Sequence, residues 1–89
     1  MTGGTYGRGF SKVQPGSPLT RREAAILDLV SQGCTNTTIA ARLGLSVDMV
    51  KLSLRAVYVR LSAHDRAHAV RRGFERGYLR PDVERRVAS

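Results

Sequence analysis

The stretch GCTNTTIAARLGLSVDMVKLSLRAVYVRL, Gly33 to Leu61, decides the fold. Its second half places Val50, Leu54, Val57 and Leu61 at i, i+4, i+7 and i+11, one apolar stripe on a helix of about 47–61. The opposite face of that helix carries Asp48, Lys51, Leu52, Arg55 and Val59. Ser46 stands before the stripe as the N-cap, where its hydroxyl takes an otherwise unpaired amide of the first turn. Upstream, Ile39, Ala40 and Leu43 mark a shorter helix of about 36–43, which Thr35 or Asn36 can cap and Gly44 can end. Ala40 and Ala41 are small enough for another helix to lie close. Two helices joined by a turn as short as Gly44-Leu45-Ser46 form a helix-turn-helix unit. A hydrophilic face interrupted by one exposed leucine suits the second helix of such a unit, lying in a major groove.

Outward from this unit the punctuation is equally local. Thr20 followed by Glu23 is a capping box that opens a helix of about 21–32, with Ile26, Leu27 and Val30 at helical spacing and Gly33 as its stop. Asp65 caps a fourth helix of about 66–76, with Ala69, Val70 and Phe74 on its apolar side. Gly77 ends it, and Tyr78 and Leu79 can fold back on the core. Pro81 can start a weak last turn through Arg86. The expected fold is all-α, a compact four-helix domain over 19–79, with a glycine-rich flexible N-terminal tail at 1–18 and a C-terminal tail at 80–89. Tyr6 and Phe10 are the large apolar residues of the first tail. The expected core is Leu19, Leu27, Val30, Ile39, Leu43, Leu45, Val50, Leu54, Val57, Leu61, Val70 and Phe74.

Composition narrows the function. The 89 residues carry 15 Lys+Arg against 7 Asp+Glu, a formal net charge of +8, and 13 of the 15 cations are Arg. Arginine keeps its charge and pairs with phosphate through two parallel hydrogen bonds, so a polyanion, usually nucleic acid, is the expected partner. A dinucleotide fold or a barrel needs more chain than this. No apolar run reaches a membrane span, and 1–17 lacks the apolar centre of a signal peptide. With Cys34 as the one cysteine and no secretion signal, the expected compartment is the cytoplasm, in association with the nucleoid. Cys34, His64 and His68 are too few for a structural zinc site, so no metal and no cofactor is expected. His64 and His68 read as two surface histidines. Nothing orients a nucleophile among the Ser, His and Asp residues, so no catalytic site is expected and the chain reads as a non-enzyme.

Leu19-Thr20-Arg21-Arg22-Glu23, Gly33-Cys34-Thr35-Asn36-Thr37-Thr38-Ile39-Ala40, Leu43-Gly44-Leu45-Ser46, Val50-Lys51 and Leu61 follow one another in the order and spacing of a known family. Over about 19–79 the chain resembles the C-terminal helix-turn-helix domain of LuxR-type transcription regulators, and with only a short glycine-rich segment in front it is similar to the stand-alone, GerE-like members. The resemblance implies a four-helix domain whose third helix enters the DNA major groove and whose fourth makes a dimer contact. It also implies that Lys51, Leu52 and Arg55 face the bases: Arg55 can pair with guanine through two hydrogen bonds and Leu52 can touch a thymine methyl. Four positions depart from the family pattern: Thr37, Thr38, Met49 and Ser53.

The remaining contacts are expected as follows. Thr35, Asn36, Thr37, Ser46 and Arg60 are phosphate candidates, the first four at helix N-termini, where hydroxyls, amides and the helix dipole hold the backbone of a duplex. Arg66, Arg71, Arg72 and Arg76 read either as a patch on the DNA flank or as plain solubility charge, with solubility charge the favoured reading. A homodimer through helix 4 is expected, with Ala67, Val70, Arg71 and Phe74 at the contact, because so small a core does not need all of them. The function read from these features is sequence-specific binding of double-stranded DNA in transcription regulation. The alternative is an adaptor on the same fold that binds RNA polymerase or another regulator. The departures at Thr38, Met49 and Ser53 favour the adaptor, and the Arg-rich face with Val50-Lys51 favours DNA.

Overall fold

The computed structural model describes residues 13–81, and among them lie four helices: α1 Arg21–Ser31, α2 Asn36–Leu43, α3 Val47–Leu61 and α4 Arg66–Glu75. The all-α architecture is the expected one. The suggested turn from Pro81 to Arg86 lies outside the described residues, apart from Pro81 itself.

Each helix starts where a side chain can replace a missing backbone partner. Thr20 Oγ1 accepts from Glu23 N at 3.1 Å while Glu23 Oε1 accepts from Thr20 N at 3.0 Å, so the capping box is complete. Thr35, Ser46 and Asp65 cap the other three in the same sense, accepting from Thr38 N, Met49 N and His68 N. Each helix also ends alike. Cys34 N donates to Leu29 O, Leu45 N to Ala40 O, Ala63 N to Tyr58 O and Tyr78 N to Gly73 O, the six-to-one bond of a Schellman turn. That turn needs one residue at positive φ. Gly33, Gly44 and Gly77 supply it in three cases, and Ser62, at φ 54°, in the fourth.

Two hydrophobic clusters share α1 and α3. Ile26, Val30, Ile39, Ala40, Val50 and Leu54 join α1, α2 and the first half of α3. Leu27, Val57, Leu61, Ala69 and Leu79 join α1, the second half of α3, α4 and the chain beyond it. Neighbouring residues of α1 thus feed different clusters, and the α3 stripe runs through both.

Within the expected core, Leu27, Val30, Ile39, Val50, Leu54, Val57 and Leu61 are buried, while Leu19, Leu43, Leu45 and Val70 pack half-buried at its edges. Phe74 is not in the core: it is 41% exposed. The inward side of α4 is centred on Ala69 and Gly73, and a Cβ on Gly73 would lie 2.8 Å from Leu79 Cδ1 and 2.9 Å from Leu27 Cδ2. The backbone of α4 therefore lies close to α1, and Phe74, about 100° further round, points outward. Ile26, Ala40, Ala69 and Leu79 complete the buried set, Leu79 through the fold-back that also lets Tyr78 Oη accept from Leu19 N at 3.0 Å.

Arg60 is 8% exposed, with Nε 3.0 Å from Glu23 Oε1. Its Nη1 donates to Ser17 Oγ and to Pro18 O, both at 3.0 Å, and its carbonyl accepts from Gly16 N at 2.8 Å. Ordered contacts therefore begin before Leu19, within the segment assigned by composition to the tail.

Two outcomes follow from these local geometries. Ser62→Gly should raise stability by about 0.5–1 kcal/mol, because a non-glycine residue in the left-handed region is strained and the gain is partly offset by glycine's freedom when unfolded. Thermal unfolding of the two proteins measures it, and a lower melting temperature contradicts it. Arg60→Ala should cost about 3 kcal/mol or more, because it leaves the Glu23 carboxylate buried without its cation. Urea unfolding reads this directly, and a loss below about half a kcal/mol would contradict the structural role of the pair.

Candidate nucleic-acid interface

The outward face of α3 and the N-terminus of α2 meet at one surface. The α3 stripe Val50, Leu54, Val57 and Leu61 is held in the two clusters, which fixes the rotation of the helix about its own axis. Lys51, Leu52 and Arg55 consequently point to solvent, and Leu52 is 66% exposed. Neither Lys51 nor Arg55 is in an ion pair among the described residues. Lys51 lines an open depression together with Cys34, Thr35, Asn36, Thr37 and Arg66. The structure thus brings one expected base-facing residue beside three of the expected phosphate contacts.

The polar atoms around this depression differ in what they have left to offer. Thr37 is exposed. Ser46 Oγ is used as an acceptor by Met49 N, and its own proton is free to be donated outward. Thr35 Oγ1 accepts from Thr38 N and donates its own proton to Thr38 Oγ1 at 3.1 Å, which leaves the Thr38 hydroxyl proton to be donated outward. The carboxamide oxygen of Asn36 accepts from Arg66 Nη1 at 3.0 Å, which turns its amide group toward donation. Arg60 does not belong to this set. It sits beside the α3 stripe on the flank away from Lys51 and Arg55, and its guanidinium faces Glu23, Ser17 and Pro18. The expectation that it holds phosphate does not survive its burial.

Arg66 lines the same depression in a supporting position that the sequence did not assign to it. It is half-buried, with Nη2 donating to Cys34 O at 2.6 Å as well as Nη1 to Asn36. It ties the first turn of α4 to the start of α2 and so supports the depression rather than serving as solubility charge. A signal was present: a cation in the first turn of a helix opposes the dipole, so another interaction must hold it there.

On α4, Ala67, Arg71 and Phe74 are exposed and Val70 is half-buried, with Arg71 Nε 3.4 Å from Glu75 Oε2. Their outward placement leaves this face uncovered among the described residues. His64 and His68 stand nearby with ring centroids 4.7 Å apart, and His68 Nδ1 accepts from His64 N. No group of three or more His, Cys, Asp or Glu residues among those described is placed to hold a metal ion. No helix among the described residues is long and apolar enough to cross a membrane.

Comparison with known proteins agrees with this geometry. Residues 17–72 match the family profile of bacterial regulatory proteins, luxR family. The chain is 43% identical over 56 residues to the probable transcriptional regulatory protein SgaR of Hyphomicrobium methylovorum, covering 63% of this chain and 26% of SgaR. It is 35% identical over 51 residues to the HTH-type transcriptional regulator AlkS of Ectopseudomonas oleovorans, covering 57% of this chain and 6% of AlkS. Among solved structures it is similar to the response regulator ChrA of a heme-sensing two-component system, with a TM-score of 0.69 and 30% identity, over 74% of this chain and 33% of that one. The chain spans a third or less of the length of these relatives. With a capped four-helix core and a profile match running from Ser17 to Arg72, the chain belongs to the luxR family of bacterial regulatory proteins.

Proposed function

We propose that this chain binds double-stranded DNA sequence-specifically and regulates transcription, with α3 in the major groove. One observation carries the reading: an exposed α3 face with two unneutralised cations, Lys51 and Arg55, lies directly beside the hydroxyl-rich N-terminus of α2. In this reading Lys51, Leu52 and Arg55 meet base edges, and Thr35, Asn36, Thr37 and Ser46 hold phosphates. Base contacts carry sequence information and phosphate contacts carry position. The relatives named as transcriptional regulators support the same assignment.

Two copies bind in this reading, joined through Ala67, Val70, Arg71 and Phe74 of α4. Their recognition helices then enter successive major grooves, with half-sites about 10 bp apart. The site of action is the cytoplasm, on the nucleoid.

The test uses a duplex enriched from a random pool by the chain itself, together with unselected duplex, at several salt concentrations. Arg55→Ala should cost about 1–3 kcal/mol on the enriched duplex and relax its preference at one position. Thr37→Ala should weaken both duplexes by a similar factor, because it removes a contact that reads no base. Affinity should fall steeply with salt, as counterions are released from neutralised phosphates. An unchanged ratio of enriched to random affinity in Arg55→Ala would remove α3 as the reader.

A further inference from the structure

The outward surface of α3 is divided lengthwise. At 100° per residue, Met49, Leu52, Ala56 and Val59 fall within about 80° of one another, at i, i+3, i+7 and i+10. That is the a/d spacing of a coiled-coil seam. Leu52 is 66% exposed, Val59 42% and Met49 40%, with Ala56 half-buried between them. Lys51 and Arg55 line one edge of this seam, with Asp48 as the acid at its N-terminal end. The other edge passes Ser53 to an open depression shared with Thr20, Arg21, Arg22 and Glu23; the Glu23 carboxylate is paired with Arg60, while the two arginines are exposed and in no ion pair among the described residues. The result is an apolar strip about 15 Å long between two basic rails.

A DNA groove accounts for only part of it. Leu52 has a thymine methyl to touch, but Val59 lies about 10 Å further along the axis, where a groove-bound helix has left the base edges. A second copy of this chain fits poorly, because pairing seam to seam sets the rails of Lys51, Arg55, Arg21 and Arg22 against their own copies, and like charges across such a seam repel.

Charge complementarity selects the remaining occupant. We propose that the α3 seam is a docking surface for an acidic amphipathic helix of another protein, whose apolar row lies on Met49, Leu52, Ala56 and Val59 and whose carboxylates meet the two rails. This is the helix-in-groove mode of recognition, read through i, i+3 and i+7 anchors. Because Lys51, Leu52 and Arg55 serve both ligands, the helix and DNA exclude one another, and the partner turns the regulator off by occupying its reading face. The docking stands apart from the DNA reading, and only the competition rests on it.

The probe is a labelled three-heptad peptide with Leu at a and d and Glu at e and g, set against an isomer of the same composition with its leucines dispersed round the helix. Fluorescence anisotropy on the full chain should show the seam peptide binding at least about tenfold tighter than the isomer. Unlabelled random duplex should displace it. Val59→Glu should abolish the preference and, through its added charge, weaken enriched and random duplex by one common factor. Val59→Lys keeps the position folded in a second way: it should still attract both acidic peptides, now equally. Circular dichroism confirms that each variant is helical. Equal affinity for peptide and isomer in the parent chain would mean that charge alone attracts them, and would overturn the seam. So would a preference untouched by both Val59 variants. A parent dimer in sedimentation that Val59→Glu dissolves would assign the seam to a second copy and overturn the proposal. Peptide discrimination without binding of any duplex would uphold the seam and refute the DNA reading.

Discussion

The rotational setting of α3 is the constraint on which the rest depends. Val50, Leu54, Val57 and Leu61 are each buried to within a few per cent, in two clusters to which α1 and α3 both contribute buried side chains. A helix gripped along about three turns by close-packed side chains cannot roll without opening cavities at every level. The outward residues are thereby fixed in direction, and a DNA-reading residue is useful only if its direction is fixed. In the DNA reading proposed above, precision at Arg55 comes from packing at Leu54 and Val57.

Glu23 and Arg60 add a second constraint, along the length rather than around the axis. One carboxylate oxygen of Glu23 accepts from Thr20 N and lies 3.0 Å from Arg60 Nε. The same group therefore closes the first turn of α1 and anchors the second half of α3, while Arg60 reaches on to Ser17 and Pro18. Buried ion pairs add little net stability when formed but are expensive to break singly. The contacts of this pair join the first turn of α1, the second half of α3 and residues 17–18 at one point.

The helix limits were legible because each one is marked locally. Thr20, Thr35, Ser46 and Asp65 are the capping residues their chemistry suggests, and Gly33, Gly44 and Gly77 mark three of the four ends. Ser62 was not legible as the fourth, since serine carries no preference for positive φ and its conformation is imposed by the turn around it. Phe74 misled for a different reason. Size suggests burial, yet the side of α4 that approaches α1 is chosen by the smallest residues, Ala69 and Gly73, because they allow the closest backbone approach. At the site, the exposed face of Lys51, Leu52 and Arg55 followed from the period of the stripe. Arg60 did not, because a position one step off the stripe is outward in a bare helix and covered once α1 and residues 16–18 lie against it.

A domain this small has few surfaces to assign, and α3 shows how one helix can serve more than one. Its inner third is core, one outer flank carries cations beside α2, and the other carries apolar side chains beside the start of α1. A purely nucleic-acid face would gain from polar groups at Met49 and Val59, since exposed apolar area costs solubility and offers phosphate nothing. A purely protein-binding face would not need unpaired Lys51 and Arg55 beside the helix N-terminus of α2. Both features occur on one helix, and the proposed DNA contact and the proposed helix contact have Leu52 in common. Two ligands that overlap on a surface that cannot rearrange are coupled by exclusion alone, without a conformational change, and each then lowers the apparent affinity of the other in proportion to its own occupancy.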